Sequence, residues 1–133
     1  MSPPGAGPRR VAVLGGGFSG VALTCALLRH ARRPLPVTLV ERRTDLGCGV
    51  AYGTNRLSHV LNVPAGRMGV DPLDQAGFAR HLADQGRTAM AHDFVPRVWY
   101  AEYLRDALAT TARGAAPGVT WHKARRMKRT RWC

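Results

Sequence analysis

The apolar pattern opens with four consecutive residues, Val11-Ala12-Val13-Leu14, which break into Gly15-Gly16-Gly17. A short apolar run of this kind predicts a strand buried on both faces of a parallel sheet. After Gly20 the chain is apolar almost all round from Val21 to Leu28. This predicts a helix from Gly20 to about Ala31, with Arg29, His30, Arg32 and Arg33 suited to its C-terminal end and Pro34 as its stop. Val37-Thr38-Leu39-Val40 reads as a second strand with Glu41 at its end. Strand, helix and strand within about 30 residues make one β-α-β unit.

Residues 42–70 lose this periodicity. Gly47, Gly49, Gly53, Pro64, Gly66 and Gly69 punctuate them. A long irregular segment in a compact domain is usually functional or disordered, and this one, not of low complexity, reads as an ordered loop facing a ligand. Asp71-Pro72 predicts an N-cap followed by proline in the first turn. A helix over 72–85 follows, with Leu73, Phe78, Ala79 and Leu82 on its stripe and Gly86 just past its end. Asp93 and Pro96 introduce a helix over Arg97–Arg113, with Tyr100, Ala101, Leu104, Ala107, Leu108 and Thr111 on one stripe. Gly114–Gly118 is a linker, and Val119-Thr120-Trp121 begins a third strand before the chain turns strongly basic.

The glycines then take on a chemical meaning. Gly15, Gly17 and Gly20 stand in the G-x-G-x-x-G spacing, which a chain with 15 glycines can produce by accident. Here the spacing follows a strand and opens a helix, and Glu41 lies at the distance a dinucleotide fingerprint requires. The first glycine lets the chain turn out of the strand. The second leaves room for a pyrophosphate against bare backbone, and the third lets helix and sheet pack closely. Phe18, Ser19 and Gly20 present the helix N-terminus, with its free N–H groups, to the phosphates. Glu41 would accept hydrogen bonds from ribose hydroxyls, which favours FAD or NAD over a 2′-phosphorylated cofactor. Arg42 and Arg43 keep NADP open, because an arginine here can hold that phosphate.

Further along, Leu46 to Thr54 carries spaced glycines, Gly49 among them, and one aromatic, Tyr52. Glycine permits the close backbone approach that a flat cofactor needs, and an ordinary glycine-rich surface loop would have the same composition. Arg97 and Tyr100 fall on one face of a helix's first turn, where an anion or a flavin edge could sit. By pattern alone, a capped amphipathic helix with half-buried tyrosines is favoured there. His30, His59, His81, His92 and His122 form no i, i+4 ligand pair, and no metal site, catalytic triad or P-loop lysine is legible.

Composition changes this picture only at the edges. The chain's 133 residues imply one domain. The Pro/Gly-rich residues 1–9 are expected to be disordered, residues 10–121 to form the domain, and 122–133 to be a basic tail. Net charge is +12, and half of it comes from Lys123, Arg125, Arg126, Lys128, Arg129 and Arg131. So local an excess reads as a solvated terminus rather than a nucleic-acid surface. Cys25, Cys48 and Cys133 are too scattered for a disulfide framework. No run approaches the roughly 18 apolar residues that span a bilayer, and the expected location is the cytoplasm.

Several blocks together resemble the N-terminal part of bacterial FAD/NAD(P)-binding proteins, the group that includes FAD-dependent urate hydroxylase-like and L-aspartate N-monooxygenase-like flavoproteins. They are Val11 to Gly20, Glu41-Arg42-Arg43, Gly49-Val50-Ala51-Tyr52-Gly53, Leu61-Asn62-Val63-Pro64-Ala65-Gly66-Arg67-Met68, and Phe94-Val95-Pro96-Arg97 with Tyr100 and Tyr103-Leu104. The first block is shared by many flavoenzymes; the second glycine block and the Leu61–Met68 block are more specific. The resemblance implies a Rossmann-like α/β half-domain, a parallel sheet with flanking helices that binds FAD. It puts Gly15, Gly17, Phe18, Ser19, Gly20, Glu41 and Arg42 at one end of the cofactor. Gly49, Tyr52, Asn62, Arg67 and Arg97 would lie towards the flavin, with the loop Gly47–Met68 against it. It also implies NAD(P)H as co-substrate and hydroxylation of a small molecule with dioxygen, with no catalytic side chain identifiable. Members of that group are several times longer and continue past the third strand with alternating strand residues. The expectation is therefore a truncated chain whose tail departs from the family at His122, binding FAD weakly and not turning over alone. The rival expectation is a non-catalytic nucleotide-binding module.

Overall fold

A computed structural model describes residues 9–125. Three strands, β1 (Val11–Leu14), β2 (Leu35–Val40) and β3 (Val119–Ala124), form one sheet in the order β1-β2-β3. Both pairings are parallel, with Val13 opposite Leu39 and Val37 opposite Trp121. This is the small α/β, Rossmann-like half-domain expected of the sequence. β2 starts two residues earlier than its apolar core suggests, and Pro36 is accommodated next to the strand's first residue, where a missing N–H costs least.

Between β1 and β2 runs α1 (Phe18–His30). It buries Val21, Thr24, Cys25 and Leu28. Thr24 returns its hydroxyl to the Gly20 carbonyl at 2.8 Å, so the buried polar group is satisfied. The helix ends at His30, with Arg29 and His30 in the last turn where the dipole favours cations. After β2 come α2 (Gly49–Tyr52), a 3₁₀ turn (Ala65–Arg67), α3 (Gly77–Asp84) and α4 (Arg97–Arg113). The core joins Val13, Val37, Leu39 and Val119 of the sheet to Leu28 of α1, Phe78 and Leu82 of α3, and Tyr100, Leu104 and Leu108 of α4.

Several details depart from the sequence reading. β1 is buried on one face only: Val13 is covered, Ala12 is exposed and Leu14 is 72% exposed. The buried strand residues alternate, which sets the helices against one side of the sheet. Asp71 does not cap a long helix. Its Oδ1 accepts the Leu73 N–H at 3.0 Å and its carbonyl accepts the Asp74 N–H, which closes a separate turn. α3 therefore begins only at Gly77, and Leu73, expected on its stripe, is 92% exposed. The other end of α3 is as read. Gly86 (φ +69°) donates to the Ala83 carbonyl and Arg87 to that of Leu82, a Schellman closure. Asp93 accepts the Met90 N–H rather than capping α4. Tyr100 and Tyr103 are buried rather than half-buried. β3 continues three residues past Trp121, because His122, Lys123 and Ala124 still pair with β2.

Candidate functional site

The site lies at the C-terminal end of β1 and β2, where the chain turns into α1. Gly15 adopts φ +102°, a conformation open mainly to glycine, and donates its N–H to the Val40 carbonyl at 2.8 Å. Gly20 is pressed so close to this turn that a β-carbon on it would overlap the Gly15 carbonyl oxygen. Gly17, the residue that caps α1, offers no side chain to its first turn. The N–H groups of its first turn have no intrahelical acceptor and carry the positive end of the helix dipole.

Gly16, the residue between the first two fingerprint glycines, is also constrained. A β-carbon there would come within 2.7 Å of Leu46 Cδ2 and 2.8 Å of Glu41 Cβ. Its N–H donates to Glu41 Oε2 at 2.8 Å, while the Arg43 N–H donates to Oε1 at 2.9 Å. The hydrogen bond from Arg43, joined by that from Gly16, holds the Glu41 carboxyl below the usual carboxylate range. Glu41 thus enters the site ionised and fixed in direction. Sequence spacing missed Gly16 because the fingerprint treats its position as variable; the run of three glycines was the available signal.

Against this turn rests the loop Leu46–Gly49. Gly47 (φ +78°) donates its N–H to the Gly16 carbonyl at 2.7 Å. The backbones of Gly17 and Gly49 face each other so closely that a β-carbon on Gly49 would lie 3.3 Å from Gly17 Cα. Carbonyls of the loop and of the residues just before it are taken up by cations. Lys123 Nζ donates to the carbonyls of Arg43 (2.8 Å) and Thr44, Arg105 Nη1 to that of Leu46 (3.0 Å), and the Arg43 guanidinium to that of Gly49.

Two adjoining clefts result. One, of about 240 Å³, is lined by Leu14, Gly15, Gly17, Phe18, Ser19, Gly20, Cys48, Gly49 and Tyr52. The other, of about 500 Å³, shares Leu14, Gly15, Gly17 and Gly49 and continues over Val40, Glu41, Arg42 and Arg43. Phe18 and Tyr52 both pack on the buried Tyr100, at ring-centroid distances of 6.2 and 4.9 Å. Burial raises the Tyr52 and Tyr100 phenols above their ordinary range, so both stay neutral.

Nine of the twelve candidate residues, Gly15, Gly17, Phe18, Ser19, Gly20, Glu41, Arg42, Gly49 and Tyr52, come together on these walls. The other three lie elsewhere. Asn62 is exposed, and Arg67 is exposed on the 3₁₀ turn. The segment between them docks on residues 91–93, through Ala65 N–H to the Asp93 carbonyl and Gly66 N–H to that of Ala91. Arg97 donates from Nε to the Val60 carbonyl at 2.9 Å, and its charge reaches Tyr52. Arg43, weighed above with Arg42 as a phosphate holder, lines the larger cleft, and Leu14, Val40 and Cys48 line the clefts without having been singled out by spacing. An apolar strand end carries no mark in the sequence that it will face a cleft.

A separate cavity of about 380 Å³ between α1, α3 and α4 collects Asp71, Asp74 and Asp106. Asp71 faces Arg29 (3.4 Å), Asp74 faces Arg80, and Asp106 faces the His81 ring (3.5 Å). No cluster of three or more His, Cys, Asp or Glu side chains suited to a metal ion occurs among the described residues, and no helix among them is long and apolar enough to cross a membrane.

The family model described as FAD-NAD(P)-binding matches residues 12–130. The match includes residues 122–130, so the likeness does not stop where the basic residues begin. No curated protein matches the chain.

Proposed function

The chain belongs to the FAD-NAD(P)-binding family, and from that premise we propose that its dinucleotide is FAD, held as the cofactor-binding portion of a flavin-dependent, monooxygenase-like oxidoreductase. The observation that carries the reading is the uncapped N-terminus of α1 behind Gly15–Gly20, with the Glu41 carboxylate fixed beside it. A pyrophosphate is met by backbone N–H groups and a helix dipole, where a β-carbon on Gly16 or Gly20 would leave no room for the turn itself. An ionised Glu41 accepts from ribose hydroxyls and repels a 2′-phosphate, which favours FAD over NADP. The exposed Leu14 side chain and the Phe18 and Tyr52 rings supply apolar surface for flat groups.

Bound flavin would supply the redox chemistry, accepting hydride from NAD(P)H and using dioxygen to hydroxylate a small molecule. This chain's residues bind the cofactor, orient it and exclude water from part of it. The reading places the protein in the cytoplasm, where reduced nicotinamide is at hand.

Titration of the purified chain with FAD, NAD and NADP, followed by flavin fluorescence and calorimetry, tests the reading. FAD is expected to bind most tightly, with ADP as a competitor. Failure of all three to bind would sink it. A second reading, a nucleotide-binding module without turnover, is favoured by one feature. Glu41, the one carboxylate on the walls described, already has both oxygens on backbone N–H groups. Bleaching of bound flavin by NAD(P)H would exclude that second reading; a flavin that binds and stays oxidised would favour it.

A further inference from the structure

The loop facing the glycine turn is gripped from behind, and we infer that Arg105 is a positioning residue for the dinucleotide cleft. By tying the Leu46 carbonyl and the Cys48 thiol to α4, it sets Gly47 and Gly49 in place against Gly16 and Gly17. This rests on the reading of the cleft as a dinucleotide site.

Arg105 follows Ala101 by one helical turn and sits between the buried Leu104 and Leu108. A partly buried cation on such a face needs acceptors. It finds the Leu46 carbonyl at 3.0 Å and Cys48 Sγ at 3.6 Å. Leu46 is itself buried, so loss of the guanidinium leaves its carbonyl short of a partner. The loop is one peptide thick at this point. On one side, a β-carbon on Gly47 would lie 3.0 Å from the Ala101 carbonyl oxygen and 3.1 Å from Leu104 Cβ. On the other, the Gly47 N–H reaches the Gly16 carbonyl at 2.7 Å. Arg105 lines neither cleft, so its influence on a ligand must pass through the loop. The Arg43 guanidinium reaches the same loop independently, at the Gly49 carbonyl, and Lys123 holds the chain just before it, at the carbonyls of Arg43 and Thr44.

The test compares Arg105→Met and Arg105→Lys in the full 133-residue chain. FAD affinity is measured by fluorescence titration, and amide hydrogen exchange at Gly47 is measured without ligand. Arg105→Met is expected to weaken FAD roughly tenfold, the size of one charge-assisted hydrogen bond, and to speed Gly47 exchange by a similar factor. Cooperative unfolding is retained, and Arg105→Lys recovers part of both effects. FAD affinity within twofold of the parent, unchanged Gly47 exchange, or a Lys variant no better than Met would each overturn the inference. A parent chain that binds no dinucleotide overturns the function proposed above instead. Gly47 exchange then still decides whether Arg105 holds the loop.

Discussion

The glycine turn Gly15–Gly20 and the loop Leu46–Gly49 meet backbone to backbone, yet they are rigid for opposite reasons. The turn is shaped by its neighbours in sequence and reaches further to the end of β2, at Val40 and Glu41. Gly15 leaves β1, Gly20 packs on the Gly15 carbonyl, and α1 starts between them. The loop is fixed from a distance, by Arg105 and the Gly16 carbonyl. Local constraint survives wherever the motif is written, whereas constraint from a distance exists only once the rest of the molecule has assembled around it.

Substitutions that add one methyl group separate the two cases. Gly20→Ala strikes hardest, because its β-carbon overlaps backbone rather than a movable side chain. Loss of the cooperative thermal transition together with FAD binding is expected; a folded, FAD-binding variant would show that the turn is looser than described. Gly16→Ala meets the tip of Leu46, which can give way, and Glu41 Cβ, which can move only with its backbone. A loss of about 1–3 kcal/mol in denaturant unfolding is expected, as for other overpacked sites. In the loop, Gly47→Ala combines a left-handed φ with a 3.0 Å contact to the Ala101 carbonyl oxygen. Gly86→Ala has a similar φ with nothing within 4 Å, so it isolates the backbone cost of about 1 kcal/mol. Gly47→Ala should exceed that control and weaken FAD; equal losses in the two variants would mean that α4 does not press on the loop.

The smallest effect expected is that of Glu41→Gln, about 1 kcal/mol near neutral pH. Its sign is set by linkage. The folded-state pKa of Glu41 is depressed, so its contribution is present above the ordinary carboxyl value of about 4.3 and fades as pH falls through the lower folded value. Parent and variant stabilities should converge in acid. A difference that stayed constant across that range would mean that the carboxylate's charge is not what holds Gly16.

The same contrast explains what the sequence made legible. The β-α-β unit, the spacing of Gly15, Gly17 and Gly20, the place of Glu41 and the span of α4 could all be read, because each depends on residues close in the chain. The late start of α3 could not, because Asp71 serves equally well as a helix cap or as the first residue of a turn, and here its carboxylate takes the Leu73 N–H of the turn. Nor could the one-sided burial of β1, since four apolar residues look the same whether one face or both are covered. The cations on the loop were counted as net charge. Nothing in the spacing of Lys123 or Arg105 announces that their acceptors are backbone carbonyls about 80 and 60 residues earlier.

Lys123 carries a consequence for how the protein is made. It donates to the carbonyls of Arg43 and Thr44, and beside it the Glu41 N–H donates to the Ala124 carbonyl. During synthesis the segment around residue 43 leaves the ribosome long before residue 124 exists. Closing so distant a contact is slow compared with forming a helix or a hairpin. The β2–β3 edge of the sheet therefore closes only after every residue that lines the two clefts, all of them before residue 53, has been made.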